Sequence, residues 1–155
     1  YHALSAIDNY SESKIRSEKL IRGARVAYTV LRISGIFGAE FFELPDVLQY
    51  RADQRVEFVD RRDVVAAFLS SLEGNGARNR VFNIAGGKSW QMLGKNYAER
   101  ICEVFEISAE RDHSKEFTWF DWYDTSHSQA VLNCQHTPFE KFLSDLKKVV
   151  LQLYQ

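Results

Sequence analysis

One run of residues, Val26-Ala-Tyr-Thr-Val-Leu-Arg-Ile33, gives the clearest indication of the fold class. It is nearly continuously apolar and rich in β-branched and aromatic residues, which is typical of a strand buried on both faces, as in parallel sheets. A helical pattern precedes it, from Asn9 to Gly23, with Asp8 or Asn9 as a natural N-cap. It is followed by Ser34-Gly35-Ile36-Phe37-Gly38, where two glycines permit a tight turn.

Predicted strands and helices alternate along the rest of the chain. Residues 56–59 and 81–85 have the pattern of strands, the first short and alternating, whereas residues 39–55 contain an apolar set that could form a short helix. Three further helices are predicted: one over 64–72, capped by Asp60 or Asp63, one over about 90–105, beginning after Ser89, and one from about Pro138 onward. The polar residues 108–118 are predicted to form a loop. This alternation predicts an α/β fold.

The composition excludes several classes of partner. The chain has 155 residues, of which 45% are hydrophobic and 26% charged, with a net charge of −1. These values are typical of one soluble globular domain. Interspersed charge argues against a nucleic-acid footprint, and the apolar runs are too short to cross a bilayer. We therefore predict no nucleic-acid partner, no membrane partner and a cytoplasmic location.

The cysteines and histidines do not indicate a metal site. Cys102 and Cys134 lack metal-ligand spacing and are too few for a disulfide framework, so small buried thiols are the simplest interpretation. The four histidines are scattered in predicted loops without metal spacing. We predict no metal.

The sharpest chemical feature is Tyr10-Ser-Glu-Ser-Lys14. Four residues apart on a helix, a phenol and an ammonium lie one turn apart on the same face. A phenol ordinarily titrates near pH ~10, and a nearby cation favours its phenolate form. Such a pair can move a proton on a substrate hydroxyl or carbonyl while a cofactor moves hydride. Taken alone, the spacing also fits a helix whose tyrosine packs and whose lysine is solvated.

An ordered set of motifs accompanies this pair. In chain order it comprises Asn9-Tyr-Ser-Glu-Ser-Lys-Ile-Arg-Ser-Glu18, Tyr28-Thr-Val-Leu-Arg-Ile-Ser-Gly-Ile-Phe-Gly38, Phe58-Val-Asp-Arg-Arg-Asp-Val-Val-Ala-Ala67, Val81-Phe-Asn-Ile-Ala-Gly-Gly87 and Asp124-Thr-Ser126 with Val131-Leu132 and Pro138-Phe139. Together these motifs resemble the extended short-chain dehydrogenase/reductases of the epimerase/dehydratase family. The order, rather than any one later motif, carries the resemblance.

The resemblance implies a site. Tyr10 would be the catalytic acid/base, and Lys14 would hold the nicotinamide ribose hydroxyls and favour the phenolate. The loop Ile33-Ser34-Gly35-Ile36 would run past the nicotinamide at the carboxyl end of its strand, where doubly wound sheets bind ligands. The implied cofactor is NAD or NADP, and the implied substrate is a small molecule such as a nucleotide-sugar.

The resemblance also implies an incomplete domain. The Gly-x-x-Gly-x-x-Gly phosphate turn is absent and the chain begins without methionine, so we expect the carboxyl-terminal part of a doubly wound Rossmann-like sheet plus a small substrate-binding subdomain, with the amino-terminal glycine-rich half missing. Residues 1–155 would form one partial domain. Residues 1–38 would end the Rossmann core, and 39–155 would be mainly the substrate-binding region with a returning core strand near 81–85.

Three functional interpretations remain open. The full-length protein could be an NAD(P)-dependent epimerase, dehydratase or reductase, in which case this chain alone would be inactive. It could instead be a cofactor-sensing protein on the same scaffold, or a structural domain. Asp60 and Asn83 are expected to support the backbone, while Arg32 could face the cofactor or pair with an internal carboxylate. Strands separated from a larger sheet expose apolar edges, so we expect self-association, for example as a homodimer.

Overall fold

The computed structural model describes residues 4–153 of the chain. In chain order its elements are α1 (Asn9–Gly23), β1 (Thr29–Ile33), β2 (Gly35–Phe37), β3 (Val47–Leu48), β4 (Arg55–Val56), β5 (Phe58–Asp60), α2 (Arg61–Glu73), β6 (Arg80–Ile84), β7 (Met92–Leu93), α3 (Gly94–Phe105), β8 (Asp112–His113), α4 (Ser126–Leu132) and α5 (Phe139–Leu153). Short 3₁₀ turns lie at Ala39–Phe41, Asn75–Ala77 and Lys88–Trp90. The predicted α/β class is confirmed.

Two parallel strand pairings form the centre of the fold. β1 lies parallel to β6, with Leu31 opposite Phe82, and β2 lies parallel to β5, with Ile36 opposite Val59. Helix α2 connects β5 to β6, which gives the strand–helix–strand order of a partial Rossmann-like fold. Among the described residues, β6 is the one strand neighbour of β1.

Aromatic side chains dominate the larger of two apolar cores. Trp90, Tyr97 and Phe142 are fully buried there, and the rings of Phe58 and Tyr97 meet edge to face with centroids 4.9 Å apart at 83°. The second core lies between α2 and the β1–β6 pair and includes Phe82. Cys102 and Cys134 are both free and buried, as predicted.

The turn from β5 into α2 is built on buried carboxylates. Asp60 caps α2, because its Oδ1 accepts a hydrogen bond of 2.8 Å from the backbone N–H of Arg62. Asp63, the alternative cap, instead accepts bonds from the backbone N–H groups of His136 and Thr137 and from the Thr137 hydroxyl. Asp63 therefore anchors the chain just before α5.

The prediction of a short helix within 39–55 is wrong. That stretch contains one 3₁₀ turn and the strand β3, which pairs in parallel with β8 and buries Leu48. The predicted loop at 108–118 accordingly contains a strand. The apolar residues of 39–55 are used mainly in extended backbone, and Pro45 would interrupt a helix through the stretch.

The prediction of one alternating strand over 56–59 is also wrong. Val56, Glu57, Phe58 and Val59 are all buried, and the chain passes from β4 to β5 at Glu57. Alternation fails because Glu57 is buried as well: its carboxylate accepts hydrogen bonds from Gly87 N, Gln91 Nε2 and Tyr123 N.

Two predicted element boundaries differ from the structure. Helix α3 begins at Gly94 rather than near Trp90, because Trp90 is buried and its indole Nε1 donates to the carbonyl of Thr137 at 2.8 Å. The expected tight turn at 34–38 is instead strand β2, and Gly35 serves close packing there rather than a turn. A Cβ on Gly35 would lie 2.6 Å from Cδ1 of Phe58.

We expect Gly35→Ala to destabilise the chain. The added methyl group would overlap the Phe58 ring inside the aromatic core, and overpacking of this kind costs about 1–3 kcal/mol. Urea unfolding followed by circular dichroism measures the difference. Gly23→Ala is the matched control, since no atom lies within 4 Å of a Cβ built on Gly23. Equal stability of the two variants would contradict this packing role.

Candidate active site

A capping box begins α1 and so sets the orientation of its first turns. The Asp8 carboxylate accepts a hydrogen bond of 2.7 Å from the backbone N–H of Ser11, and the Ser11 hydroxyl accepts one of 3.1 Å from the backbone N–H of Asp8. Tyr10 and Lys14 follow on one face of the helix, with the Lys14 ammonium 5.1 Å from the centroid of the Tyr10 ring. The Tyr10 and Lys14 side chains, which their four-residue spacing predicts to be neighbours, are therefore in contact.

Both side chains open onto a cleft of about 640 Å³. Its walls come from α1 and the residues before it, from the end of β1 with the start of β2, and from one distant loop; the lining residues are Leu4, Ser5, Ile7, Asp8, Tyr10, Ser11, Lys14, Ile15, Glu18, Arg32, Ile33, Ser34, Ile36 and Trp119. Tyr10 is 70% exposed, so its phenol is accessible to a molecule in the cleft.

The residues of the predicted cofactor loop, 33–36, do not all face the cleft. Ile33 ends β1, and Ile33, Ser34 and Ile36 all line the cleft. Ser34 is 7% exposed, and its Oγ has no hydrogen-bond partner among the described residues, which is uncommon for a buried hydroxyl. Gly35 does not line the cleft; its missing side chain accommodates Phe58.

Arg32 pairs with an internal carboxylate, one of its two predicted roles, and it also lines the cleft. Its Nε and Nη2 donate to the two carboxylate oxygens of Glu18 at 2.9 and 2.7 Å. Glu18 is the buried residue of α1, so this two-point ion pair attaches the helix to β1. The hydrogen bond from Arg32 holds the pKa of Glu18 below its usual value, although burial opposes this.

Sequence reasoning missed the third wall of the cleft. Trp119 belongs to an aromatic cluster whose members no periodicity distinguished, and only the folded chain brings it near α1. The residues that fix its loop, Gln54 and Glu57, were equally unmarked, because a polar residue next to a predicted strand ordinarily faces solvent. The other polar predictions are consistent with backbone support: Asp60 caps α2, and the side-chain amide of Asn83 donates to the carbonyl of Asp124 at 3.4 Å.

Residues 4–153 contain neither a cluster of metal ligands nor a membrane-spanning helix. No group of three or more histidine, cysteine, aspartate or glutamate side chains is arranged to hold a metal ion there. No helix in that range has the length and apolar character needed to span a membrane.

We expect Glu18→Gln to loosen α1. Hydrogen bonds to charged groups contribute about 1.5–3 kcal/mol, so amide exchange in α1 at neutral pH should become about tenfold faster or more while β6 and α5 are unaffected. Because the pKa of Glu18 is lowered in the folded chain, the attachment is complete above the usual glutamate pKa and is lost as the pH falls through the lowered value.

Hydrogen exchange with mass spectrometry is the measurement for this pair. Glu12→Gln changes an exposed glutamate in the first turn of the same helix and serves as the control. If both variants protect α1 as well as the wild type does, the pair does not attach the helix.

Comparison with known proteins gives matches by structure alone. No family model and no curated protein sequence matches the chain. A short-chain dehydrogenase/reductase superfamily protein from Agrobacterium tumefaciens, solved with NAD, superposes with a TM-score of 0.80 at 15% identity over 99% of this chain and 60% of its own. UDP-glucuronic acid 4-epimerase from Bacillus cereus, solved with UDP-glucuronic acid and NAD, gives 0.73 at 16% over 99% and 59%.

A third similar structure was solved with NADPH rather than NAD. RMD from Pseudomonas aeruginosa, complexed with NADPH, superposes with a TM-score of 0.65 at 16% identity over 92% of this chain and 56% of its own. The chain thus spans little more than half the length of these proteins. At such identities the likeness concerns the fold: the chain has the fold of the carboxyl-terminal part of an extended short-chain dehydrogenase/reductase.

Proposed function

We propose that this chain supplies the acid–base part of the active site of an NAD(P)-dependent epimerase, dehydratase or reductase. The observation that carries the proposal is the contact between Tyr10 and Lys14 at the mouth of a cleft that the end of β1 also lines. Carboxyl ends of parallel strands are where doubly wound sheets bind ligands. A surface pair without a function would not require such a cleft.

The chemistry assigned to the pair is a proton transfer. The Lys14 ammonium lies over the Tyr10 ring, 5.1 Å from its centroid, and so places a positive charge beside the phenol. Tyr10 can then withdraw a proton from a substrate hydroxyl or return one to a carbonyl oxygen. A bound NAD or NADP would accept or supply the hydride on the carbon.

The residues present fit one end of such a cofactor. Lys14 can donate hydrogen bonds to ribose hydroxyls, and Ile33 and Ile36 offer apolar surface to a nicotinamide ring. The buried hydroxyl of Ser34, which has no partner among the described residues, adds a polar group to this wall. The pyrophosphate would need a glycine-rich turn that this sequence does not contain, so turnover is proposed for a longer protein.

The substrate class proposed is a nucleotide-sugar. Structures of the same fold include one solved with UDP-glucuronic acid and NAD together. The open volume of about 640 Å³ beside Tyr10 is in the range of small-molecule sites. A cofactor-sensing protein on the same scaffold is the second candidate, favoured by the small elements between β2 and β4, which leave a short substrate region.

We expect Tyr10→Phe to lower the turnover of the full-length protein by about 10²–10⁴-fold, the usual contribution of a general acid or base, with cofactor affinity retained. Conversion of UDP-glucuronic acid to product, followed by proton NMR, measures the rate, because an epimerase or dehydratase returns the hydride to the substrate and leaves no net reduced nicotinamide. Tyr28→Phe is the control, because Tyr28 does not line the cleft. An unchanged rate in Tyr10→Phe contradicts the acid–base role, and cofactor binding without any turnover in the wild type supports the sensing protein.

We also propose that copies of the chain associate through one face of α2. Val65, Phe68, Leu69 and Leu72 are exposed and follow the i, i+3, i+4, i+7 spacing of a single helix face, which we call the α2 stripe. Leu72 is 83% exposed. An apolar stripe of this kind is typical of a surface that another polypeptide covers.

We expect Leu72→Lys to lower the apparent mass of the chain in multi-angle light scattering, because a charge placed in the stripe opposes its burial. Leu20→Lys is the matched control, since Leu20 is an apolar residue of α1 that is 74% exposed. A wild-type chain that is monomeric at all concentrations contradicts the proposed association.

A further inference from the structure

The segment Phe117 to Tyr123, here called the aromatic segment, forms no helix or strand, yet it supplies one wall of the cleft through Trp119. Trp119 is 54% exposed. A single exposed tryptophan is not unusual by itself. Trp119 is distinguished by the hydrogen bonds that buried side chains make to the backbone on either side of it.

Gln54 holds the backbone on both sides of Trp119. Its Nε2 donates to the carbonyls of Thr118 and Phe120 at 2.9 and 2.8 Å, and its Oε1 accepts from the backbone N–H of Thr118 at 3.3 Å. Gln54 is 3% exposed, so these bonds are protected from competing water. Trp119 therefore projects from a backbone with fixed neighbours.

Glu57 fixes the end of the aromatic segment. Its carboxylate, fully buried, accepts a hydrogen bond of 2.8 Å from the backbone N–H of Tyr123, and it also accepts from Gly87 N and Gln91 Nε2. Burial raises the pKa of Glu57 and these three bonds oppose that rise. The segment is thus attached at two points to the β4–β5 region.

The exposed aromatic rings of the segment have different partners. The Arg51 guanidinium lies over the Phe117 ring at 4.4 Å, and that of Arg55 lies over the Trp122 ring at 5.3 Å. Trp119 instead stacks on Phe120, with centroids 3.8 Å apart at 30°, and lines the cleft that contains Tyr10. Trp122 does not line that cleft.

We propose that Trp119 is a specificity-determining residue, whose ring packs against the sugar ring of the substrate while Tyr10 acts on it, and that Gln54 is the positioning residue for Trp119. The proposal rests on the proposed function, because it takes the cleft beside Tyr10 as the place of reaction. Ligand sites characteristically combine aromatic walls with a few polar groups that fix orientation.

The sugar ring, rather than the nucleobase, is the group assigned to Trp119. Tyr10 and Trp119 line one cleft, and the part of a substrate within reach of an acid–base group is the part that reacts. A ring bearing hydroxyls on its edge presents an apolar face to the indole and polar atoms to Lys14. The base, joined through a diphosphate, would lie outside this cleft.

Affinity measurements with two probes test this assignment. Isothermal titration calorimetry of the full-length protein with UDP-glucuronic acid and with UDP gives the gain in affinity that the sugar provides. We expect Trp119→Ala to weaken binding of UDP-glucuronic acid by about tenfold, because one face of the sugar ring loses its apolar contact, with UDP affinity unchanged. Trp119→Phe should retain most of the affinity, and Trp122→Ala should match the wild type.

Each other result overturns the assignment. An equal loss for UDP would move the contact to the nucleotide, and an unchanged affinity in Trp119→Ala, or the same loss in Trp122→Ala, would remove the role of Trp119. Failure of the wild type to bind UDP-glucuronic acid more tightly than UDP would do the same. These are binding results, so they are distinguishable from failure of the acid–base role, which turnover by Tyr10→Phe reports.

A double-mutant cycle tests the positioning role of Gln54. In Gln54→Glu the donor to the Thr118 and Phe120 carbonyls is lost, so affinity for UDP-glucuronic acid should fall as in Trp119→Ala. If Gln54 acts through Trp119, the substitution adds no further loss to Trp119→Ala. Losses that add in the double variant, as a general loss of folded structure would produce, contradict the positioning role.

Discussion

The ion pair between Glu18 and Arg32 is the interaction on which the candidate site depends. Helix α1 carries Tyr10 and Lys14, yet its apolar residues Leu20 and Ile21 remain exposed, and Glu18 is its buried residue. Hydrophobic burial therefore does little to hold α1 within the described residues. A two-point, charge-assisted contact to β1 replaces it, and removing one partner of a buried pair leaves an uncompensated charge.

The opposite wall of the cleft is held by the same kind of contact. Gln54 and Glu57 are buried polar side chains that bind the backbone of the aromatic segment, which has no secondary structure of its own. Irregular backbone needs partners for its N–H and C=O groups, and these two side chains provide several of them. The loop is consequently fixed well enough to present Trp119 to the cleft.

Sequence patterns predicted the elements whose periodicity is local. Helix α1, the strand ending at Ile33, the strand near 81–85 and the final helix have the expected types, because each follows a local run or spacing of apolar residues in the sequence. Prediction failed over 39–59, where Glu57 is buried and where β3 pairs with a strand more than sixty residues away. Local periodicity contains no information on such partners.

The same distinction applies to the site. The Tyr10–Lys14 contact lies within one helix and follows from spacing four residues apart, so the sequence predicts it. The pairing of Arg32 with an internal carboxylate was one of two alternatives, and the sequence does not indicate that Glu18 is that carboxylate. Trp119 joins the cleft through tertiary structure alone.

Polar attachment of both walls has a consequence for recognition. Hydrophobic contacts are non-directional, whereas hydrogen bonds to a carbonyl or a guanidinium fix orientation. Walls attached in this way can leave aromatic faces such as Tyr10 and Trp119 uncovered without losing their positions. In the proposed complex, binding of the sugar ring would require little further ordering of these walls, so most of the contact energy would contribute to affinity.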